Sequence, residues 1–294
     1  MTSIHRSVLL NETIEGLNLG EKAIVLDGTY GGGGHSMEIC KRFPDARIIA
    51  LDQDLSTKKN TDTDTKIIFY NENFRNLDKV LKKEGITKVD GVILDLGLSS
   101  DQLENSGRGF SFMKLEPLQM TMKENPLPED VTAEDIVNTW GEESIANIIY
   151  GYGEEKQSRR IAKAIVDARE KKEIKTTLDL VAVIEKAIPA RFRKGKIHFA
   201  TKTFQALRIA VNDELGALSE GLEKGFNALK EGGRMSVISF HSLEDRVIKK
   251  FFKQKEKEGV AILINKKVIT AGREEAKSNK RSRSAKLRIL EKQK

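Results

Sequence analysis

Ala23-Ile24-Val25-Leu26-Asp27-Gly28-Thr29-Tyr30-Gly31-Gly32-Gly33-Gly34-His35-Ser36 decides the fold. A short apolar run ends in an acid, a glycine cluster follows, and a helical stretch begins at His35. Glycines let the backbone turn sharply and let a ligand approach with no Cβ in the way. Placed directly after the first strand, such a turn lines the crevice where an open α/β sheet binds its ligands. A dinucleotide fingerprint would read G-x-G-x-x-G. Here Gly31-x-Gly33-x-x-Ser36 lacks the third glycine, and the Gly-Lys-Ser/Thr of a P-loop is absent.

Outward from this stretch, strand and helix alternate. Residues 47–51 form a second strand ending in Asp52, residues 66–70 a third, and residues 91–94 a fourth ending in Asp95. Residues 35–42 and 74–84 carry helical spacing between them. Continuous apolar strands separated by helices predict a parallel sheet covered on both faces. The alternation stops at Leu96. A Ser-, Gly- and Pro-rich loop runs to about Pro128, and helices are expected over 132–140, 142–150, 157–171 and 177–188. The last two carry Ile161, Ala164, Ile165 and Ala168, then Leu178, Val181, Ile184 and Ile188, at spacings of three and four. A long helix over about 201–230, a strand at 234–238, a helix over 243–257 and short strands at 261–264 and 268–270 complete the chain. The expected organisation is an α/β core over 1–104 and 201–276, a helical insertion over 105–200, and a basic tail over 277–294.

Composition limits the function classes. Of the 294 residues, 38% are hydrophobic and 32% charged, with 5 Pro, so a core can form and global disorder is excluded. The lone Cys40 excludes a disulfide framework and a cysteine zinc site, and four scattered His give no zinc motif. No apolar run approaches the ~20 residues of a membrane span, and the N-terminus lacks leader features. A cytoplasmic protein is expected, with no membrane, metal or disulfide partner. The net charge of +7 favours a polyanionic partner. Residues 186–202 hold six Lys/Arg and no acid, and residues 277–294 hold eight Lys/Arg and one Glu.

Asp52 follows the glycine cluster by about 20 residues, where an acid accepts hydrogen bonds from both ribose hydroxyls of a nucleoside cofactor; capping a helix is the structural alternative. NAD and S-adenosylmethionine both fit that pattern. Asp95 shares a rim with Asp27 and Asp52. Three carboxylates there suit a cationic sulfonium better than an anionic pyrophosphate. His241, in Ser239-Phe240-His241-Ser242-Leu243-Glu244-Asp245-Arg246, lies just outside a strand end, and Ser242 with Asp245 reads as a helix-capping pair.

These motifs in order resemble the bacterial small-subunit ribosomal RNA cytosine-N4 methyltransferases. The resemblance runs almost end to end: Val8-Leu9-Leu10-x-Glu12, the glycine stretch, residues 90–100, Gln102-Leu103, Arg108-Gly109-Phe110-Ser111-Phe112, residues 203–209, Asn212-Asp213-Glu214-Leu215, residues 239–246 and residues 283–288. It implies a Rossmann-like class I methyltransferase with a helical insertion. It also implies S-adenosylmethionine as cofactor, held by Gly33, Gly34, His35, Asp52, Phe74, Asp95 and Gln102, with Phe74 stacked on adenine. The implied reaction is N4-methylation of a cytidine in the decoding region of 16S ribosomal RNA, within an assembled or assembling small subunit. Asp95 and His241 are the candidate catalytic residues. Arg108, Lys202, Arg208, Arg283 and Lys286 are the candidate RNA contacts. The chain departs from the family's Asp-Gly-Pro-Leu-Asp-Met-Arg-Met at residues 115–122, where Gln119 and Thr121 replace an acid and an arginine. It departs again at Phe199 and Lys202 in His198-Phe199-Ala200-Thr201-Lys202, and at Lys280 in Asn279-Lys280-Arg281. Two other readings compete: a non-catalytic RNA-binding or assembly protein that keeps the cofactor pocket, and an NAD-linked oxidoreductase, disfavoured by the missing third glycine.

Overall fold

A computed structural model describes residues 7–60, 66–195 and 197–294. Residues 1–6, the start of the stretch searched for a leader, and Lys196 of the basic 186–202 run lie outside the described residues. The chain forms two compact units, Met1–Gly97 with Leu215–Lys294, and Leu98–Glu214.

The first unit opens with α1 (Leu10–Leu17), then β1 (Ile24–Asp27), α2 (Gly34–Arg42), β2 (Arg47–Asp52), β3 (Ile67–Asn71), α3 (Leu77–Lys83) and β4 (Val89–Asp95). Both strand faces are apolar because both are covered. Val25, Ile48, Ala50 and Ile93 pack against Ile14, Leu17 and Ile39 from α1 and α2. Their chain neighbours Leu26, Ile49, Leu51, Val92 and Leu94 point to the opposite face, against Leu77, Val80 and Leu81 of α3.

The second unit is helical: α4 (Ser100–Asn105), α5 (Ala133–Thr139), α6 (Glu142–Gly153), α7 (Ser158–Arg169), α8 (Thr177–Ala187), α9 (Ala190–Arg193) and α10 (Thr201–Asn212). Capping boxes start three of them: Ser99 with Gln102, Thr132 with Asp135, and Thr176 with Asp179. Ile136, Ile145, Ile149, Ile161, Ile165, Leu180, Ile184, Phe204 and Leu207 form this unit's own core. Within α8 the buried face carries Leu180 and Ile184, while Leu178 is exposed, one position from the expected stripe.

The chain then returns through α11 (Glu214–Ala228), β5 (Leu229–Ser239), α12 (Ser242–Lys257), β6 (Ala261–Leu263), α13 (Arg273–Ser278) and β7 (Lys286–Lys292). The single helix expected over 201–230 is two. Asp213 adopts a left-handed conformation (φ 45°), which aspartate tolerates better than most residues, and the axis breaks there. The seven strands lie in the order β3-β2-β1-β4-β5-β7-β6. The first five pair in parallel, but β7 runs antiparallel between β5 and β6, so the sheet is mixed rather than purely parallel.

This β7 overturns the basic tail expected over 277–294. Leu287 and Leu290 are fully buried, and the strand pairs with β5 from Arg234↔Glu291 to Ser239↔Lys286. Alternation explains the misreading: Lys286, Arg288 and Lys292 are partly exposed between buried Leu287, Ile289 and Leu290, and charge counting hid the period-two pattern. The strand expected at 268–270 is reduced to a bridge between Ile269 and Leu287. The division between the units falls at Gly97/Leu98 and Glu214/Leu215 rather than at 105 and 200.

Because β7 is internal to the sheet, removing residues 277–294 is expected to abolish cooperative unfolding in a thermal melt followed by circular dichroism. Leu287→Ala in the full chain is expected to cost roughly 2–5 kcal/mol, seen as a lower urea midpoint at constant slope. A truncated chain that still melts cooperatively would show that β7 is dispensable.

Candidate functional site

The sheet reverses direction at β1. The chain moves outward from β1 through β2 to β3, then crosses back to β4 on β1's other side. A crevice opens outside the carboxyl ends of strands at such a point. Asp27, Asp52 and Asp95 end β1, β2 and β4 on this rim.

Asp27 is buried and accepts a 2.6 Å bond from Ser36 Oγ and a 3.1 Å bond from Thr29 N–H. These bonds tie the strand end to the first turn of α2. Burial nevertheless outweighs them and pushes the carboxyl up to about 6. Gly31 and Gly33 take φ of 51° and 75° between these anchors. A Cβ on Gly33 would stand 2.6 Å from Tyr30 Oη, and one on Gly34 would collide with Ser7 Oγ. Asp52 joins the turn to the next strand: Oδ2 accepts from Gly31 N–H at 2.7 Å and Oδ1 from Asp54 N–H at 2.9 Å. It too is raised to about 6, by burial first and by Asp54 and Asp27 nearby.

Asp95 differs from the other two. Its backbone N–H donates to Thr29 Oγ1 at 2.6 Å, but its Oδ1 is buried with no hydrogen-bond partner. Oδ2 lies 3.8 Å from His35 Nδ1. The other ring nitrogen, Nε2, faces the Val8 carbonyl at 3.2 Å. A carbonyl only accepts, so Nε2 carries a proton and donates it to Val8. Burial pushes Asp95 up to about 7; Arg281 opposes that shift, while Asp27 and Glu244 add to it.

The MraW methylase family model matches residues 2–293. Ribosomal RNA small subunit methyltransferase H of Clostridium botulinum is 45% identical over 308 residues, covering 98% of this chain and 98% of that protein. The protein of the same name from Carboxydothermus hydrogenoformans is 46% identical over 309 residues, covering 98% and 97%. The chain belongs to the MraW methylase family. The sheet order and the glycine turn between β1 and α2 are those of a Rossmann-like class I methyltransferase with a helical second unit.

Within this MraW methylase fold, Gly33, Gly34 and His35 start α2 beside the strand ends that carry Asp52 and Asp95. Phe74 follows β3 in a 3-10 turn (Phe74–Asn76) capped by Asn73. Its ring lies against Gly221 of α11, where any side chain would displace it, so this half-buried aromatic has a fixed position beside the crevice. Gln102 belongs to the second unit, where its side chain accepts from Ser99 N–H at 2.9 Å.

Several candidate residues have structural roles. His241, a candidate catalyst, caps α12: Nδ1 accepts from Glu244 N–H at 3.4 Å, and Nε2 lies 3.2 Å from Glu244 Oε1. Nδ1 is spent on the helix start, whereas Nε2 is buried with no hydrogen-bond partner. The capping pair is therefore His241 with Glu244, not Ser242 with Asp245. Asp245 instead pairs with Lys286 at 3.1 Å and Arg288 at 2.8 Å, which holds Asp245 below the usual carboxylate range against a burial that raises it. Arg108 is buried, donates to the Met122 carbonyl at 2.9 Å and lies over Phe110. It supports the fold and does not present a free cation. Arg208 forms a two-toothed pair with Glu214 at 2.8 and 3.0 Å. Lys202 donates to the Glu154 carbonyl and Arg283 to the Ala276 carbonyl, both at exposed positions. Arg281 was missed as a site residue. The turn Lys280–Ser284 that carries it is capped by Asn279 and sits just before β7, so its placement depends on a strand the charge pattern concealed.

Asp95→Asn is expected to raise the melting temperature at pH 7.5 by about 5 °C. An acid whose folded pKa lies above its unfolded value is protonated preferentially in the folded state. It costs stability as pH rises from about 4 to about 7 and nothing below the unfolded value. The gain from the substitution should therefore vanish below pH 4. A gain independent of pH would contradict a buried, proton-holding Asp95.

Proposed function

We propose that this protein transfers a methyl group from S-adenosylmethionine to N4 of a cytidine in 16S ribosomal RNA. The substrate would be the decoding region of an assembled or assembling small subunit in the cytoplasm. The observation that carries this reading is the rim itself: three acids with raised pKa, one with a buried and unpartnered oxygen, around a glycine turn. An anionic pyrophosphate would be repelled there, whereas a sulfonium would relieve the mutual repulsion. That chemistry disfavours the NAD-linked reading.

The residues fit the cofactor. Gly33 and Gly34 leave a Cβ-free approach, Asp52 keeps lone pairs for ribose hydroxyls beyond its two backbone bonds, and Phe74 offers a ring for adenine. Gln102 is carried over as a cofactor residue on the resemblance of its motif. When bound, the cofactor supplies an activated methyl group on positively charged sulfur. Asp95 then accepts from the cytosine N4–H through Oδ1, which lets the nitrogen lone pair turn from the ring toward the methyl carbon. His35 stands 3.8 Å from the other Asp95 oxygen and holds the carboxyl group in place as the amine proton is released. Alignment supplies most of the rest. Lys202 and Arg283 are exposed enough to meet the RNA backbone. Arg208 and Lys286 would do so only by exchanging a carboxylate for a phosphate.

Two measurements test the reading. Affinity for S-adenosylmethionine should rise with pH through the window from about 6 to about 7, because a cation favours the ionised carboxylates and protons must leave on binding. S-Adenosylhomocysteine, with neutral sulfur, should show a weaker dependence by calorimetry; identical pH profiles would contradict the electrostatic role of the rim. The second is single-turnover methylation of small subunits or 16S RNA, with N4-methylcytidine detected by mass spectrometry. Asp95→Asn should slow the saturated rate by ~10²-fold, the usual scale for one positioned electrostatic group. A rate within about threefold of wild type would leave Asp95 a cofactor ligand only. Cofactor binding with no methylated cytidine on any 16S substrate would favour the non-catalytic RNA-binding reading.

A further inference from the structure

The connector between α8 and α10 in the helical unit carries an aromatic side chain that the fold does not use. Arg193 is turned inward: Nε donates to the Ile188 carbonyl at 2.8 Å, and Nη1 lies 3.6 Å from Glu185. Phe192 N–H closes on the Pro189 carbonyl at 2.8 Å. His198 is clamped between rings, 4.7 Å from Phe112 and 4.1 Å from Phe199, and Phe112 stands edge-on to Phe204 of α10. Both ends of the connector are thus anchored. The residues between point the other way. Phe192 is 50% exposed and Ile197 54% exposed. The guanidinium of Arg191 lies over the Phe192 ring at 4.8 Å, and neither Arg191 nor exposed Lys194 has a carboxylate partner among the described residues.

We propose that Arg191 and Phe192 form a stacking platform for an unpaired base of the RNA substrate, with Lys194 facing the adjoining phosphate. This rests on the RNA-methylating function proposed above. Isolated exposed apolar residues are ordinary. Here the phenyl ring is paired with a planar cation on the short helix α9, in a run of six Lys/Arg without one acid. A base has a π face for both the ring and the guanidinium, and its phosphate answers the charge. A protein partner of acidic character would use the cations but gain nothing from a sequence-tolerant stacking face, so single-stranded RNA is the better match.

The test uses the full-length protein and two probes: a single-stranded 16S-derived oligonucleotide and the same sequence as a duplex. Phe192→Ala is expected to weaken binding of the single strand about tenfold. It should leave the duplex and the salt slope unchanged, and Phe192→Trp should restore affinity. Arg191→Ala with Lys194→Ala should flatten the salt slope by roughly 0.7 per cation lost. S-Adenosylmethionine affinity and the melting temperature should match wild type in each variant, which separates a lost contact from misfolding. Wild-type single-strand affinity in Phe192→Ala would overturn the platform, and so would equal weakening on single strand and duplex. If wild type methylates small subunits while Phe192→Ala binds and methylates as wild type does, the platform fails and the methyltransferase reading stands. If wild type methylates no RNA, that reading fails first.

Discussion

Everything on the rim depends on holding three carboxylates at the ends of adjacent parallel strands, Asp27 buried and Asp52 and Asp95 half-buried. Moving an ionised carboxylate into a low-dielectric setting is expensive unless hydrogen bonds or counter-charges offset it. The chain answers differently at each position. Asp27 has a hydroxyl and a backbone N–H, Asp52 has two backbone N–H groups, and Asp95 has one oxygen near His35 and the other without a partner. That order runs from structural to chemical. The best-satisfied acid fixes the turn, the next ties the turn to β2, and the least-satisfied one is left able to accept a proton. None could be arranged without the glycines, since the backbone donors aim at Asp52 and Asp27 only when residues 29–34 curl tightly.

Much of this was legible in sequence because parallel strands with both faces buried make continuous apolar runs. β1, β2, β3 and β4 each announced themselves, as did the acids that ended them. The cofactor turn was legible for a related reason: only a backbone obliged to adopt positive φ or tolerate close neighbours accumulates four successive glycines. The helices of the second unit were read within a few residues because amphipathic spacing and capping pairs are local signals. Leu178 lies off the buried face of α8 because the unit's core receives Leu180 and Ile184, a packing that apolar spacing alone does not show.

What sequence hid was non-local. β7 is a strand because β5 and β6 flank it, and half its residues are charged because only one in two faces the core. α10 and α11 read as one helix because the signal that separates them is a single left-handed aspartate. His241 looked like a catalyst from its place after a strand. Its capping role is visible only once α12 is seen to begin one residue earlier, at Ser242, with Glu244 rather than Asp245 in reach.

The same non-locality limits what net charge says about a polyanion. Arg108, Arg208 and Lys286 are all candidate RNA contacts in the sequence. In the folded chain Arg108 bonds a carbonyl, Lys286 shares Asp245 with Arg288, and Arg208 grips Glu214. A cation already paired must break that pair before it can release counterions from a phosphate, so it contributes less to affinity and to salt dependence than a solvated one. The 186–202 run differs because it contains no acid, and the nearest one, Glu185, is taken by Arg193. Electrostatic attraction for RNA should therefore concentrate where the sequence excludes acids, rather than where it merely accumulates bases. That is also where the fold leaves an aromatic ring uncovered.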